Sequence, residues 1–195
     1  ETLDGSLGIG HTRWATHGEP SDVNSHPHTN ISGDIAVVHN GIIENYMKIK
    51  EFLIEKGYTF KSETDTEVLA HYIDYFYKGD LVEAVRLVLE KIRGSYAFAV
   101  ISKKEPDKMV CIRKENPLIV GVGKGENFIA SDIPAILART RDIYLLDENE
   151  LAIITKDNIT FLSEDGKEVQ KEIFKVDWDV SAAEKGGYEH FMIKE

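Results

Sequence analysis

The chain has 195 residues, 42% hydrophobic and 29% charged, which suffices for one domain with a sizeable core. Its formal charge of −11 at pH 7 argues against a nucleic-acid backbone or an anionic membrane as partner. A single cysteine, Cys111, excludes an internal disulfide framework and fits a reducing, cytoplasmic compartment, and no stretch reads as a signal peptide or a bilayer-spanning run.

The sequence begins at Glu1 rather than Met, so a longer parent chain is expected. Leu7 to Trp14 reads as a strand running into the loop Gly10-His11-Thr12-Arg13-Trp14-Ala15-Thr16-His17-Gly18. Gly18 to Gly33, with Pro20 and Pro27, is too rich in turn formers for a regular element. Ile35-Ala36-Val37-Val38-His39 is a continuous apolar run of strand length, as expected of a strand buried on both faces. Asn40-Gly41 should end it, with a positive φ.

Three helices are predicted next. Ile42, Tyr46, Ile49, Phe52 and Leu53 recur at helical spacing up to Gly57. Thr64-Asp65-Thr66-Glu67 has the form of a capping box, ahead of the face Val68, Leu69, Tyr72, Ile73 and Phe76. Asp80 and Glu83 repeat that pattern before Leu81, Ala84, Val85, Val88, Leu89 and Ile92, with Gly94 as the stop. Strands are predicted at Tyr96–Ile101, Met109–Arg113, Leu118–Val122 and Asn127–Ala130, then a short helix from Ser131 to Leu137. Further strands fall at Ile143–Leu146, Leu151–Thr155, Ile159–Leu162 and Val169–Ile173, and the tail from Asp177 reads as a linker. Helices clustered between two sets of strands indicate an α+β fold with helices covering antiparallel sheets.

Several residues could carry chemistry. Arg13 has the fork of donors that suits a carboxylate, and Trp14 supplies an apolar wall with one donor. Asp65, at a helix start where the dipole favours an acid, serves either as an ordinary first-turn carboxylate or, with Arg13, as the other bracket of a zwitterion. Asn40-Gly41 offers either an ordinary turn or a side-chain amide and a backbone N–H for developing negative charge. Five of the seven histidines, His11, His17, His26, His28 and His39, lie in the first 39 residues, but no cysteine lies near and no metal-site spacing is met, so no metal is expected. Gly121-Val122-Gly123-Lys124-Gly125 lacks the full phosphate-loop pattern and reads as a hairpin turn. Cys111, inside an apolar strand, reads as a core thiol. No nucleophile with an evident base is visible.

The motifs His11–Gly18, His26-Pro27-His28, Val38–Asn45 and Ser62–Glu67 resemble, in order and spacing, the glutaminase domain of the glucosamine-6-phosphate synthase family. Arg93–Ala97, Glu126–Asp132 and Lys185–Met192 extend the likeness over essentially the whole chain. The resemblance implies an N-terminal nucleophile hydrolase fold, a four-layer αββα sandwich, over residues 1–176, and a linker at 177–195 leading to a sugar-isomerase domain. It implies attack of an N-terminal Cys thiolate on the glutamine side-chain amide, with no cofactor, and transfer of ammonia to fructose-6-phosphate. By motif, Arg13 is the expected clamp for the α-carboxylate and Asp65 the partner of the α-ammonium. Thr16 and His17 are expected in a loop closing over glutamine, Trp14 is its indole beside the ammonia path, and Asn40 and Gly41 form the oxyanion hole. The Cys-bearing segment that opens the family's domain does not occur in this sequence, so the chain by itself is expected to be inactive, and Ile35–Val38 is expected at an open sheet edge. A non-catalytic glutamine-binding regulatory module, or an amidotransferase domain with another acceptor, stays open, as does a homo-oligomer.

Overall fold

A computed structural model describes residues 5–13 and 18–177. The elements, in chain order, are β1 (His28–Thr29), β2 (Ile35–Ile43), α1 (Tyr46–Glu55), α2 (Asp65–Phe76), α3 (Leu81–Leu89), β3 (Gly94–Ser102), β4 (Glu105–Lys114), β5 (Ile119–Val122) and β6 (Asn127–Ala130). A 3-10 turn at Ile133–Ala135 follows, then β7 (Asp142–Leu145), β8 (Leu151–Thr155), β9 (Ile159–Leu162), β10 (Glu168–Val169) and β11 (Phe174–Lys175). They form two antiparallel sheets, a seven-stranded one ordered β1-β2-β3-β4-β8-β9-β10 and a four-stranded one ordered β11-β7-β5-β6.

The period of two in the central strands builds the layers. Ile35, Val37 and Ile43 of β2, Tyr96, Phe98 and Val100 of β3, and Val110 and Ile112 of β4 face α1–α3 in one core. Their alternates Val38, Ala97, Ala99, Met109, Cys111 and Ala152 face the small sheet and meet Leu118, Val120 and Phe161 in a second core. The outer face of the small sheet packs Ile119 and Ile143 against Ile136 and Leu137 just beyond the 3-10 turn, which among the described residues makes up the fourth layer. The expected α+β αββα sandwich is therefore present, with its helical bulk on the large sheet. Among the described residues, no helix is long and apolar enough to cross a membrane.

Local chemistry explains most of the boundaries. Thr64 accepts from Glu67 N–H at the start of α2 and Asp80 accepts from the amides of Val82 and Glu83 at the start of α3. Gly57 and Gly79, beyond α1 and α2, have φ of +92° and +102°, a backbone form in which an L side chain is strained. The Gly121–Gly125 stretch is the expected hairpin between β5 and β6, closed by Gly123 N–H donating to the Glu126 carbonyl.

Five expectations are corrected. Leu7–Arg13 makes no strand; Leu7 and Ile9 pack against the inter-sheet core while the backbone stays irregular. Asn40-Gly41 does not end β2, because Asn40 and Gly41 pair with Ala97 and Tyr96 and the ladder runs to Ile43. The capping box is only half made: Glu67 accepts from Lys61 N–H and from the Ser62 amide and hydroxyl instead of reaching back to Thr64. Val169–Ile173 is not one strand, since β10 ends at Val169 and Phe174–Lys175 crosses to the small sheet. Ile35–Val38 is not an open edge, because β1 flanks it on one side, β3 on the other, and both faces are covered.

Candidate functional site

Beyond Val37, β2 loses its β1 neighbour, and the groups of its second half border a cleft of 720 Å³. The cleft brings together Arg13, Asn40, Gly41 and Asp65, four residues singled out from the sequence and spread over three separate segments. His11, His26, Thr66, Asn116, Ser131 and Asp132 complete much of its wall. Trp14, Thr16 and His17 lie outside the described residues, as does the predicted linker beyond Asp177.

Asp65 is placed by the start of α2. Its Oδ2 accepts from Ile43 N–H at 2.8 Å and lies 3.9 Å from His39 Nδ1, so the carboxylate is held against the end of β2 while lining the cleft. Arg13, with φ of +40°, donates from its guanidinium to the carbonyls of Gly18 and Glu19 at 3.2 and 3.1 Å. Those carbonyls hold the fork at the cleft wall. A guanidinium and a carboxylate at one cleft suit a ligand carrying an α-carboxylate and an α-ammonium.

Gly41 has φ of +107°, and a Cβ there would stand 2.1 Å from the Ser95 carbonyl oxygen and 2.7 Å from Asn116 Nδ2. Only glycine fits this approach. Ile35 N–H donates to Asn30 Oδ1 and Ile43 N–H to Asp65, so the amides of this phase of β2 leave the β3 side. Gly41 is in the same phase, two residues before Ile43.

The histidines form a polar wall, with His28 and His39 buried and His11 and His26 half-buried. His26 Nε2 and His39 Nδ1 lie 3.0 and 3.1 Å from Thr66 Oγ1, so one hydroxyl bridges the two rings. The rings of His11 and His26 are 4.3 Å apart. Burial, and then the neighbouring rings of His11, His28 and His39, push His26 down to about 3, leaving it neutral at ordinary pH. Burial also lowers His28. Next to this wall, burial alone would raise Glu67, but the His71 ring 3.6 Å away and hydrogen bonds from Lys61 N–H and from the Ser62 amide and hydroxyl hold it at about 2. Among the described residues no group of three or more His, Cys, Asp or Glu side chains is arranged to hold a metal ion. Cys111 is fully buried and burial pushes its thiol up to about 12, which makes it an inert core residue.

Sequence reasoning had His11 in the Gly10–Gly18 loop and His11, His26 and His39 within family motifs, but gave them no role beyond a metal site it did not expect, and it missed Thr66 and Asn116 as cleft residues. The His11 signal was its place two residues before Arg13. Nothing local marks Asn116, which reaches Gly41 only through the packing of β3 and β4.

Two solved structures share this architecture. One is the glutamine phosphoribosylpyrophosphate amidotransferase from B. subtilis complexed with ADP and GMP, 26% identical, with a TM-score of 0.65 over 79% of this chain and 34% of that one. The other is an allosteric regulatory enzyme of purine biosynthesis, 27% identical, with a TM-score of 0.66 and the same two coverages. The fold is that of an amidotransferase built as an N-terminal nucleophile hydrolase sandwich. Residues 11–138 match the glutamine amidotransferase domain family, and the chain belongs to it. The glutamine–fructose-6-phosphate aminotransferase (isomerizing) of Caldanaerobacter subterraneus subsp. tengcongensis is 65% identical over 193 residues, covering 99% of this chain and 32% of that protein. Those of Clostridium tetani and Thermus thermophilus are 62% and 50% identical, over 100% and 99% of this chain. The chain spans about a third of the length of these relatives.

Proposed function

We propose that this chain is the glutamine-binding and glutamine-hydrolysing domain of an aminotransferase that supplies ammonia to a sugar phosphate. The observation that carries this reading is the convergence of Arg13, Asp65, Asn40 and Gly41 on one cleft. Arg13 takes the α-carboxylate of glutamine in a bidentate grip and Asp65 takes its α-ammonium. Held at that end, the side-chain amide extends toward β2. The Asn40 side-chain amide and the Gly41 N–H then stabilise the oxygen as negative charge develops on it, which is where such donors lower a barrier most. Attack on the amide carbon expels ammonia and leaves an acyl group for water to remove. Cys111 is too deeply buried to attack, so the thiolate comes from a segment other than these 195 residues.

Trp14, Thr16 and His17, which follow Arg13 in sequence, are further glutamine ligands in this proposal. Residues 1–176 form the glutaminase unit and 177–195 lead to a sugar-isomerase domain that receives the ammonia for fructose-6-phosphate. That acceptor is supported by the names of the relatives and by the extension of the match to both ends of the chain. A cytoplasmic setting is part of this proposal and is supported by the phosphorylated substrate it names.

The test is to follow glutamate and ammonia release from glutamine by the full-length protein carrying this sequence, with and without fructose-6-phosphate. Release coupled to glucosamine-6-phosphate formation is expected. Tight glutamine binding with no release would mark a regulatory module instead.

A further inference from the structure

We infer that His11 is a positioning residue that locks the orientation of the Asn40 amide and couples it to the seat of Arg13. The inference rests on the reading of the cleft as a glutaminase site. Arg13 N–H donates to His11 Nδ1 at 2.9 Å, so Nδ1 carries a lone pair and no proton. In the neutral ring the proton must then sit on Nε2. His11 Nε2 lies 2.7 Å from Asn40 Oδ1, so it donates there and fixes which end of the amide points at the histidine. The Asn40 Nδ2 donors are thereby left for the cleft.

An asparagine amide flipped by half a turn would offer an acceptor to the developing oxyanion, and repulsion would replace stabilisation. A single imidazole therefore prevents the flip, and it can do so only while the backbone at Arg13 keeps its own bond to the ring. The residue that grips the carboxylate end and the residue that meets the reacting oxygen, 27 positions apart in sequence, are joined through this one ring. His26 packs 4.3 Å away, centroid to centroid, and limits rotation of the His11 ring. Occupation of the Arg13 seat and readiness of the oxyanion donor are in this way two readings of one hydrogen-bonded unit.

Two substitutions separate the halves of the device. His11→Asn keeps an acceptor near the Nδ1 position but removes the donor to Asn40. His11→Gln keeps a donor near the Nε2 position but removes the acceptor for Arg13 N–H. In the full-length protein with glutamine as substrate, His11→Asn should lower kcat by about 10- to 100-fold with KM changed far less, as for a misaimed transition-state donor. His11→Gln should show its larger change in KM, and should weaken binding of L-glutamate measured by calorimetry, which needs no chemistry. In wild-type protein labelled with 15N-histidine, the ring nitrogen shifts of His11 should report a bare Nδ1 and a protonated Nε2. If Arg13→Ala uses glutamine as the wild type does, the glutaminase reading itself fails. If Arg13→Ala is impaired but both His11 variants lose kcat and KM alike, His11 is merely structural and the coupling is refuted. A protonated Nδ1 in the wild-type spectrum overturns it as well, even where a variant fails to fold.

Discussion

The two halves of β2 have the same extended backbone and opposite fates. In Ile35–Val38 β3 flanks the strand throughout and β1 pairs with Ala36 and Val37, helices cover one face and the small sheet the other, and the side chains do nothing but pack. From His39 to Ile43 the β3 ladder continues, but β1 has ended, and the freed side of the strand borders the cleft. The amide of Ile43, which another strand would have taken, instead binds Asp65. A strand thus becomes a site where a neighbour is withdrawn, because its polar backbone groups then need other partners. The loss of one neighbour converts a packing element into one that lines a cleft.

The largest effect expected from breaking this division lies on the cleft side. In the full-length protein, Arg13→Ala and Asp65→Asn should each reduce kcat/KM for glutamine by about two to three orders of magnitude, since each strips a charged ligand group of its partner at a cost of about 2–5 kcal/mol. Asp65→Asn retains an acceptor for Ile43 N–H, so its melting temperature should stay close to wild type. Arg13→Lys should also be poor, because a point charge cannot reproduce the bidentate fork. Steady-state kinetics beside thermal melts decide these cases; unchanged constants would remove the residue from the site.

Within β2 itself the comparison becomes a matched pair. Ile35→Ala should cost about 2–4 kcal/mol of stability through lost burial and a residual cavity, and should leave the KM for glutamine alone. Gly41→Ala adds only one methyl group, yet it collides with the Ser95 carbonyl at a positive φ. It should cost a comparable amount, about 2–4 kcal/mol, and should damage glutamine use in whatever fraction folds. Chemical denaturation with kinetics on the same samples separates the two.

Acid should erode the polar wall in two windows. The unfolded chain takes up a proton on His26 below 6.5 whereas the folded chain resists until about 3, so stability contributed there falls as pH drops from 6.5 toward 3. Glu67, ordinarily near 4.5, is held at about 2, so its contribution is complete above 4.5 and disappears as pH falls toward 2. Glu67→Gln should cost about 1–3 kcal/mol at pH 7 and flatten the lower window. Denaturation midpoints from pH 7 to pH 3 test the sign; stability rising in acid would contradict it.

The smallest effect concerns Cys111. In the native chain the buried thiol should resist alkylation by iodoacetamide, and Cys111→Ala should leave glutamine turnover of the full-length protein unchanged. The isolated 195-residue chain should release no ammonia from glutamine above the uncatalysed rate.

The sequence by itself determined what depends on near neighbours. The caps Thr64 and Asp80, the stops Gly57 and Gly79, the hairpin at Gly121–Gly125 and the apolar run Ile35–Val38 all came through as read. It also indicated Arg13, Asp65, Asn40 and Gly41, partly through their chemistry and partly through ordered family motifs. What failed depended on distant partners. Glu67 fits a capping box, but Lys61 and Ser62 compete for its carboxylate. Asn40-Gly41 looks like a turn, yet Ala97 and Tyr96 hold it in a ladder. Leu7–Ile9 alternates like a strand but pairs with no strand among the described residues and packs against the inter-sheet core instead. Only the tertiary structure decided that β1 stops short and that His11 stands between Arg13 and Asn40, because both follow from where the chain returns in space, and local propensity contains no information about that return.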